Sequence, residues 1–306
     1  MEKFTLYSQN GVHYIEKDNK KILFSYSQPF SVFAENYLPI QINNKPIIDD
    51  KKTPLDKLTN SLEGMMGGKI NLPFDSLQEG IKSMLSDNSM LDMLKKMGID
   101  TSVVDKMKNM DLDDKNLLGD FLEIFSKKAG ITFDLILGKD ILDQFMVLIN
   151  YEKSEVTFFT DREEVGKEIG TSFHIKNLVD NHLYYIPNLL TVGGLECSVA
   201  LSSSLKNIFA TKKIFFKIMD SVKTLPETKI ETDFLGELGT VNETFFKFNL
   251  KAQNFEKDGW IAKLPDITDS MLQGVSNIDL IMPLSFFSSG VLIDGINKKF
   301  GYKKNN

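Results

Sequence analysis

The chain has very few of the residues that build disulfide frameworks and metal centres. Its 306 residues include one cysteine, Cys197, and three histidines, His13, His174 and His182. A single cysteine cannot form an internal disulfide, and three scattered histidines do not supply a compact set of metal ligands. The sequence therefore predicts neither a disulfide-stapled fold nor a cysteine- or histidine-based metal site, and we expect no cofactor.

Excess basic charge and long apolar runs are also missing. The 36 Lys and Arg residues are outnumbered by 42 Asp and Glu, which gives a net charge of -6 and argues against a nucleic-acid partner. A run of about 18 apolar residues, which a membrane-spanning helix needs, does not occur. Residues 1–7 lack the apolar core of a signal peptide. A cytoplasmic location is the expectation, unless the sequence starts at the processed end of a precursor.

The remaining composition is that of a folded protein, with 42% hydrophobic and 25% charged residues. Short β-type runs at 4–7, 12–16 and 21–25 are separated by turn-forming pairs, Asn10-Gly11 and Asp18-Asn19. The β texture returns after residue 130 and continues through most of the second half. There, Gly193-Gly194 predicts a tight hairpin turn.

A helical block interrupts this β texture. Thr53 followed by Pro54 gives a helix start signal, and helical patterns continue to Gly130. The block could form an adaptable binding surface, which methionine favours, or the internal core of a small helical subdomain. It contains eight of the 13 methionines: Met65, Met66, Met84, Met90, Met93, Met97, Met107 and Met110.

An internal repeat organises the chain. Residues 134–150 and 279–294 share the order strand, short helix, strand, each opening on an aspartate followed by an apolar run. Upstream, the segment 22–34 is similar to 199–210, with Val32 aligned to Ile208. The opening aspartates, Asp134 and Asp279, are predicted to make structural backbone contacts.

The repeat resembles the aspartic proteases, both the bilobal pepsin-like enzymes and the half-length retroviral type. Segment 136–158 resembles the end of a retroviral-type lobe, including its hydrophobic-hydrophobic-Gly signature, and 283–302 resembles the end of a pepsin-like lobe. The resemblance implies a mainly β, bilobal pepsin/retropepsin-like acid-protease fold with an α-helical insertion in the N-terminal lobe. The implied division is an N-terminal lobe at 1–160 with the insertion at 53–130, a linker at 161–172, and a C-terminal lobe at 173–306.

The chain departs from the family at the catalytic loops. Each lobe of an aspartic protease contributes an Asp-Thr/Ser-Gly loop, and its two carboxylates share a proton and activate a water. This sequence has serine and tyrosine at the matching positions, so both carboxylates are absent and no catalytic residue is assigned. The matching positions, predicted to line a ligand-binding cleft, are Ser25, Tyr26, Ser27, Ser202, Ser203 and Ser204.

The expected function is therefore that of a catalytically inactive homologue, a pseudoprotease. It would bind a peptide, a protein or a small ligand through the cleft between the lobes or through the helical insertion. Two alternatives stay open: an active hydrolase with a non-standard catalytic site, and a structural or assembly subunit. The serine hydroxyls can also simply hydrogen-bond one another and the backbone. A serine hydrolase built on 202–204 would lack the Gly-x-Ser-x-Gly elbow, and the sequence leaves the oligomeric state open.

Overall fold

A computed structural model gives the fold of most of the chain outside the helical block. Most of that block, including all eight of its methionines, lies outside the described residues, as do Asn10-Gly11, Ser27, His182 and Ser204. The predictions made for those positions stay predictions. The structure describes residues 1–9, 12–26, 31–34, 38–48, 122, 123, 126, 127, 129–181, 183–203, 205–221, 226–234, 239–265, 269 and 277–304.

The protein is mainly β. The strands are β1 (Glu2–Thr5), β2 (Tyr7–Gln9), β3 (Val12–Lys17), β4 (Lys20–Phe24), β5 (Val32–Phe33), β6 (Ile40–Ile42), β7 (Lys45–Ile47), β8 (Leu135–Leu137), β9 (Met146–Asn150), β10 (Glu155–Phe159), β11 (Phe173–Asn177), β12 (Val179–Asn181), β13 (Leu183–Val192), β14 (Leu195–Ser202), β15 (Ile208–Ala210), β16 (Glu227–Phe234), β17 (Gly239–Ala252), β18 (Phe255–Lys263), β19 (Leu280–Pro283), β20 (Val291–Asp294) and β21 (Lys299–Lys303). The helices are α1 (Lys139–Leu142), α2 (Arg162–Ile169), α3 (Lys212–Asp220) and a 3-10 turn (Leu284–Phe286).

Strands from the two halves of the chain meet in a six-stranded sheet with the order β1-β10-β9-β20-β21-β11. At its centre β9 and β20 pair antiparallel, with Leu148 opposite Leu292, Val147 opposite Ile293 and Ile149 opposite Val291. If each residue in these pairs is replaced by its equivalent in the other repeat, the same three pairs result. The register is therefore the one that a local twofold axis between the repeats requires.

Each half also has a sheet of its own, and the same motif occurs in both. In the first half β4 lies parallel to β8, and β5 pairs antiparallel with the other side of β8. In the second half β14 lies parallel to β19, and β15 pairs antiparallel with β19. The full strand orders are β2-β3-β4-β8-β5 and β12-β13-β14-β19-β15-β18-β17-β16, with β6 and β7 forming a separate hairpin.

The pairing corrects the predicted alignment by one residue. Val32 pairs with Ile136 in the first half, and Phe209 pairs with the matching Ile281 in the second. Val32 is thus equivalent to Phe209 and not to Ile208. The sequence could not decide this register because 208–210 is apolar throughout, so neighbouring alignments fit equally well.

Two predicted turns are confirmed. Gly193 and Gly194 connect β13 to β14 with positive φ angles of 57° and 82°, and Asp18 and Asn19 connect β3 to β4 with φ of 51° and 61°. Positive φ at both central residues is the geometry that closes a two-residue hairpin, and Gly, Asn and Asp tolerate it best.

The segment predicted as a linker contains a helix. Asp161 caps α2 by accepting a hydrogen bond from the Glu163 amide, and Gly170 follows its last residue. These are ordinary start and stop signals for a helix, although the polar composition of the segment is also typical of a linker. The α3 helix was not predicted, and it lies in the half whose sequence is β-rich over most of its length.

Burial explains the continuous apolar strands of the repeat. In β4, Ile22 and Phe24 join the main hydrophobic core, whereas Leu23 joins a second cluster together with Ile136 of β8. Because neighbouring side chains on a strand point to opposite faces, the first-half sheet is covered on both sides. Leu122 and Ala129, from the end of the helical block, belong to this second cluster.

None of the described helices is long and apolar enough to cross a bilayer.

Candidate functional site

The two serine loops, 25–27 and 202–204, begin at equivalent places in the repeat. Ser25 directly follows β4, and its amide donates to the carbonyl of Leu137 at 2.9 Å, which extends the parallel pairing with β8. Ser202 ends β14 opposite Pro283, the residue that matches Gly138. Both serines are buried, with 3% and 4% of their surface exposed. The strand pairing thus assigns Ser25 and Ser202 to the same position in the two repeats.

The loops touch each other. The Tyr26 amide donates a hydrogen bond to Oγ of Ser203 at 3.3 Å, between residues 177 positions apart. On the other side, the Leu205 amide donates to Oγ of Ser202 at 3.3 Å, which turns the second loop back on itself. The structure therefore brings Ser25, Tyr26, Ser202 and Ser203 into one neighbourhood. Ser27 and Ser204 lie outside the described residues.

These positions offer only neutral groups. The sequence has no Asp, Glu or His within 25–27 or 202–204. Serine hydroxyls and backbone amides can form hydrogen bonds with a ligand, but they stay neutral at acidic and neutral pH and do not serve there as a general acid or base. The described residues of the two loops thus offer hydrogen-bonding groups that are neutral at acidic and neutral pH.

Hydrogen bonds between the buried Ser31 and Asp140 stabilise the region of the first loop. The amide and hydroxyl of Ser31 donate to the two carboxylate oxygens of Asp140 at 3.0 and 2.7 Å. Oγ of Ser31 in turn accepts from the Gly138 amide at 2.8 Å. Gly138 directly follows Leu137, whose carbonyl accepts from the Ser25 amide. These hydrogen bonds therefore hold the start of α1 next to the first loop. Sequence reasoning missed it, since 109 residues separate Ser31 from Asp140.

Asp134 and Asp279 make the structural backbone contacts that were predicted for them. A carboxylate oxygen of Asp134 accepts from the Lys21 amide at 2.9 Å, and one of Asp279 accepts from the Ser198 amide at 2.8 Å. Lys21 and Ser198 each stand four positions before the loop serines. The two carboxylates thus hold the strands that lead into the loops, in the same way in each repeat.

A partly exposed ionic group, here called the Lys298 cluster, lies beside the first loop; it comprises Lys139, Asp143, Asp180, Tyr184 and Lys298. Nζ of Lys298 donates to Asp143 at 2.7 Å, to the Tyr184 hydroxyl at 2.9 Å and to Asp180 at 3.2 Å. Lys139 pairs with Asp180 and lies 4.3 Å above the Tyr184 ring centre. The cluster ties α1 to β12, β13 and the β20–β21 turn.

The two carboxylates of the Lys298 cluster respond differently to it. Burial raises the pKa of Asp143 and outweighs the opposing hydrogen bond from Lys298. Burial also acts to raise the pKa of Asp180, but its hydrogen bonds and charge pairing with Lys139 and Lys298 prevail and the pKa is lowered. Asp180 accepts hydrogen bonds from both lysines and Asp143 only from Lys298, and the charge of Asp180 also acts to raise the pKa of Asp143.

Tyr26 connects the loop with the Lys298 cluster. Its ring centre lies 6.0 Å from that of Tyr184, and its side chain is fully buried. Burial and the nearby charge of Asp143 raise its pKa well above the ordinary value. The cluster could not be read from the sequence, because its members are ordinary charged residues brought together only by the tertiary fold.

Comparison with solved structures finds low-scoring likenesses to aspartic-protease-like proteins. A retropepsin-like aspartic protease from Rickettsia conorii is 15% identical with a TM-score of 0.31, over 43% of this chain and 90% of that one. Basic 7S globulin from soybean is 8% identical with a TM-score of 0.30, over 57% of both chains. Conglutin gamma, a basic 7S globulin from lupine seeds, is 11% identical with a TM-score of 0.32, over 57% of this chain and 58% of that one.

No protein-family model and no curated protein sequence matches the chain. The match spans less than two thirds of either seed globulin. Likenesses at these TM-scores support no functional conclusion, and the mainly β architecture follows from the described strand pairing independently of them.

Proposed function

We propose that this protein is a catalytically inactive relative of the aspartic proteases that binds a peptide, a protein or a small ligand where its two serine loops meet. One observation carries the proposal: the Tyr26 amide bonds to Ser203 Oγ between loops that occupy equivalent places in the repeat. In the family that the repeat resembles, these loops form the floor of the cleft between two lobes.

Loss of proteolysis follows from the chemistry of the loops. An aspartic protease needs one carboxylate to accept a proton from the attacking water and another to donate a proton to the substrate. Ser25 and Ser202 stand at the positions of these carboxylates, and a serine hydroxyl without an adjacent base does neither. Four family residues, two Asp and two Gly, are replaced together, as expected for a chain that no longer uses this chemistry.

Binding is the function that such a site retains. Ser203, the partly exposed serine of the two loops, offers a hydroxyl without charge, so a ligand held there gains affinity from hydrogen bonds and shape. The helical block is the second surface for a partner. Two residues at its end, Leu122 and Ala129, pack in the second cluster on the first-half sheet.

A hydrolysis assay tests the first part of the proposal. Purified full-length protein is incubated with denatured casein and with a peptide library from acid to neutral pH, with pepsin as the acid control. We expect no cleavage. Cleavage that persists through repurification and disappears in Ser202→Ala would replace the proposal with a hydrolase that uses a non-standard site.

A binding selection tests the second part. Random peptides displayed on phage are selected against the wild-type protein, and their affinities are measured for Ser203→Leu and for the control Ser8→Leu, which changes an exposed serine of β2. We expect Ser203→Leu to weaken binding about tenfold or more, equivalent to about 1.4 kcal/mol, and Ser8→Leu to leave it unchanged. Equal binding by all three proteins would rule out the loops as the binding site.

A further inference from the structure

Strand β11 forms one edge of the six-stranded sheet. It pairs antiparallel with β21, and no other strand in the described part of the chain pairs with it. Just before the strand, the Lys304 amide donates to the Ser172 carbonyl at 2.9 Å, and just after it the Leu178 amide donates to the Lys298 carbonyl at 3.0 Å. Residues that bond to the neighbouring strand alternate with residues whose amide and carbonyl groups point the other way. The residues of β11 whose backbone groups point away from β21 are therefore Phe173, Ile175 and Asn177.

Positive charge accumulates along this edge. Residues 171–179 and 295–304 contain five lysines and no Asp or Glu. Of these five, only Lys298 forms an ion pair with a described residue, within the Lys298 cluster. Lys299 and Lys304 donate hydrogen bonds to neutral oxygens. The lysines of this edge without an ion pair to a described residue are Lys176, Lys299, Lys303 and Lys304.

Lysines on other strands have acidic partners on the neighbouring strand. Lys251 of β17, for example, pairs with Glu256 of β18. At the β11 edge, Asp294 is opposite Lys299 in the register, but its carboxylate accepts hydrogen bonds from Asn297 at 2.8 Å. Because the whole chain has a net charge of -6, this edge is a local region of the opposite sign and attracts an acidic partner.

An exposed apolar side chain lies among these lysines. Ile175 is 46% exposed, and a Cβ atom at Gly301 would lie 2.7 Å from its Cδ1. Gly301 is opposite Ile175 in the strand pairing, so the isoleucine packs over the glycine and is held against the sheet. Lys299 and Lys303 share this face, because each is two residues from Gly301. A strand added at this edge would meet an apolar contact flanked by positive charge.

We propose that β11 binds an extended acidic segment of a partner protein, which adds to the six-stranded sheet as a seventh strand. The backbone of this segment pairs with the outward-pointing amide and carbonyl groups of β11, and an apolar side chain meets Ile175. Acidic side chains on the Ile175 face lie near Lys299 and Lys303. Those on the opposite face lie near Lys176 and Lys304. The inference does not rest on the serine loops, which follow strands of the two other large sheets.

Charge and hydrogen bonding distinguish this partner from other occupants. A second copy paired through β11 would bring its own lysines against those of the first, and lysines on an edge strand oppose such pairing. A nucleic acid would neutralise the lysines, but it offers no peptide groups to the strand backbone. An acidic strand satisfies the backbone and the lysines together.

Binding of synthetic peptides tests the proposal. The full chain is titrated into fluorescein-labelled Glu-Thr-Glu-Val-Glu-Thr-Glu, into a peptide with Lys for every Glu, and into one with Pro for Val, which lacks the amide that would bond to β11 opposite Ile175. We expect a Kd below about 1 mM for the acidic peptide, with the lysine peptide about tenfold weaker or more and the proline peptide about fivefold weaker or more. No binding of the acidic peptide would overturn the proposal. Equal binding of the proline peptide, or of an oligothymidylate of the same length, would show attraction of polyanions by charge alone and would also overturn it.

Amide hydrogen exchange locates the bound peptide. At a peptide concentration of about ten times the Kd, exchange at the Ile175 amide should slow about tenfold, whereas the lysine peptide should leave it unchanged. Slow exchange at Ile175 before the peptide is added would show that the edge is already paired, by a second copy or within the chain, and would contradict the proposal.

Charge-reversal variants separate this edge from the rest of the surface. Lys176→Glu and Lys303→Glu should each weaken binding of the acidic peptide about fivefold or more, and Lys176→Gln serves if these variants do not fold. Lys153→Glu, at an exposed position in the β9–β10 turn, alters the net charge equally and should change binding by less than about twofold. Ser203→Leu should bind the peptide as the wild type does, which keeps this test separate from that of the serine loops. Equal weakening by Lys153→Glu would assign the effect to net charge and not to β11.

Discussion

Gly295 lies with its backbone directly against the backbone of Asp143. A Cβ atom at position 295 would come within 2.6 Å of the Asp143 Cα and 2.9 Å of the Leu142 carbonyl oxygen. The Gly295 amide donates to the Phe145 carbonyl at 3.0 Å. This contact packs the β20–β21 turn against the end of α1, and it places Lys298 within hydrogen-bonding distance of Asp143.

Gly295→Ala should therefore destabilise the protein. The added methyl group meets backbone atoms, which cannot move aside as a flexible side chain can, and such overpacking costs about 1–3 kcal/mol. Urea unfolding measures the loss. Gly166→Ala is the matched control, because a Cβ at this position within α2 meets nothing within 4 Å; it should stabilise by about 0.5–1 kcal/mol. Equal midpoints for Gly295→Ala and the wild type would contradict the close packing.

Gly259 makes a second close contact, within the second-half sheet. A Cβ there would lie 2.7 Å from Cδ1 of Leu250 and 3.0 Å from Cδ1 of Ile208. Gly259→Ala should lower the free energy of unfolding by about 1–2 kcal/mol, because these side chains must move from their packed positions.

A double-mutant cycle checks the cause of that loss. Leu250→Ala removes the nearest side-chain atoms, so it should cost less in the Gly259→Ala background than in the wild type. Additive effects of the two substitutions would show that the loss does not come from this contact.

The internal repeat could be predicted from the sequence, whereas the Lys298 cluster could not. Ser25 and Ser202 could be aligned from the sequence because each follows a local pattern of apolar strand and turn, and the strand pairing gives them equivalent positions in the two repeats. Asp134 and Asp279 were found because the pattern occurs twice. The register of β5 and β15 was off by one residue, since side-chain burial on both faces removes the alternation that fixes register.

The partners within the Lys298 cluster had no such signal. Asp143 and Lys298 are 155 positions apart, and no spacing rule connects them. The same holds for Tyr26 and Ser203, whose contact depends on how the two halves meet at the six-stranded sheet. Local patterns predict elements and turns, whereas these pairs depend on tertiary packing.

Asp180 and Asp143 should give the stability opposite dependences on pH. The pKa of Asp180 is lowered on folding, so its ion pairs stabilise above its unfolded pKa of about 3.9 and lose this effect as the pH falls through the folded value. The pKa of Asp143 is raised, so its protonation favours the fold as the pH falls through a value above the unfolded one.

Two asparagine variants separate these contributions. Relative to the wild type, Asp180→Asn should be least stable near neutral pH, with the difference shrinking below about pH 4. The stability of Asp143→Asn should fall furthest below that of the wild type at acid pH, because protonation of Asp143 stabilises the wild type there. Urea unfolding between pH 3 and 7 measures both, and parallel curves for the two variants would contradict the opposite shifts.

The helical block offers the last prediction, and the structure refines where to cut it. Leu122 and Ala129 are buried, with 5% and 0% of their surface exposed, so the end of the block is part of the first-half core. A protein in which 54–120 is replaced by a short Gly/Ser linker should stay soluble and melt cooperatively. Extending the deletion to 129 removes both apolar side chains from the cluster and should lower the melting temperature further.

Pull-down with the 54–120 deletion then decides which surface binds a partner. If the block carries the contact, the deletion loses the proteins that the full chain recovers, whereas Ser203→Leu retains them. If the serine loops carry it, the deletion retains those proteins and Ser203→Leu loses them. A deletion to 120 that fails to fold would show that the block as a whole, and not only its final residues, belongs to the core of the first half.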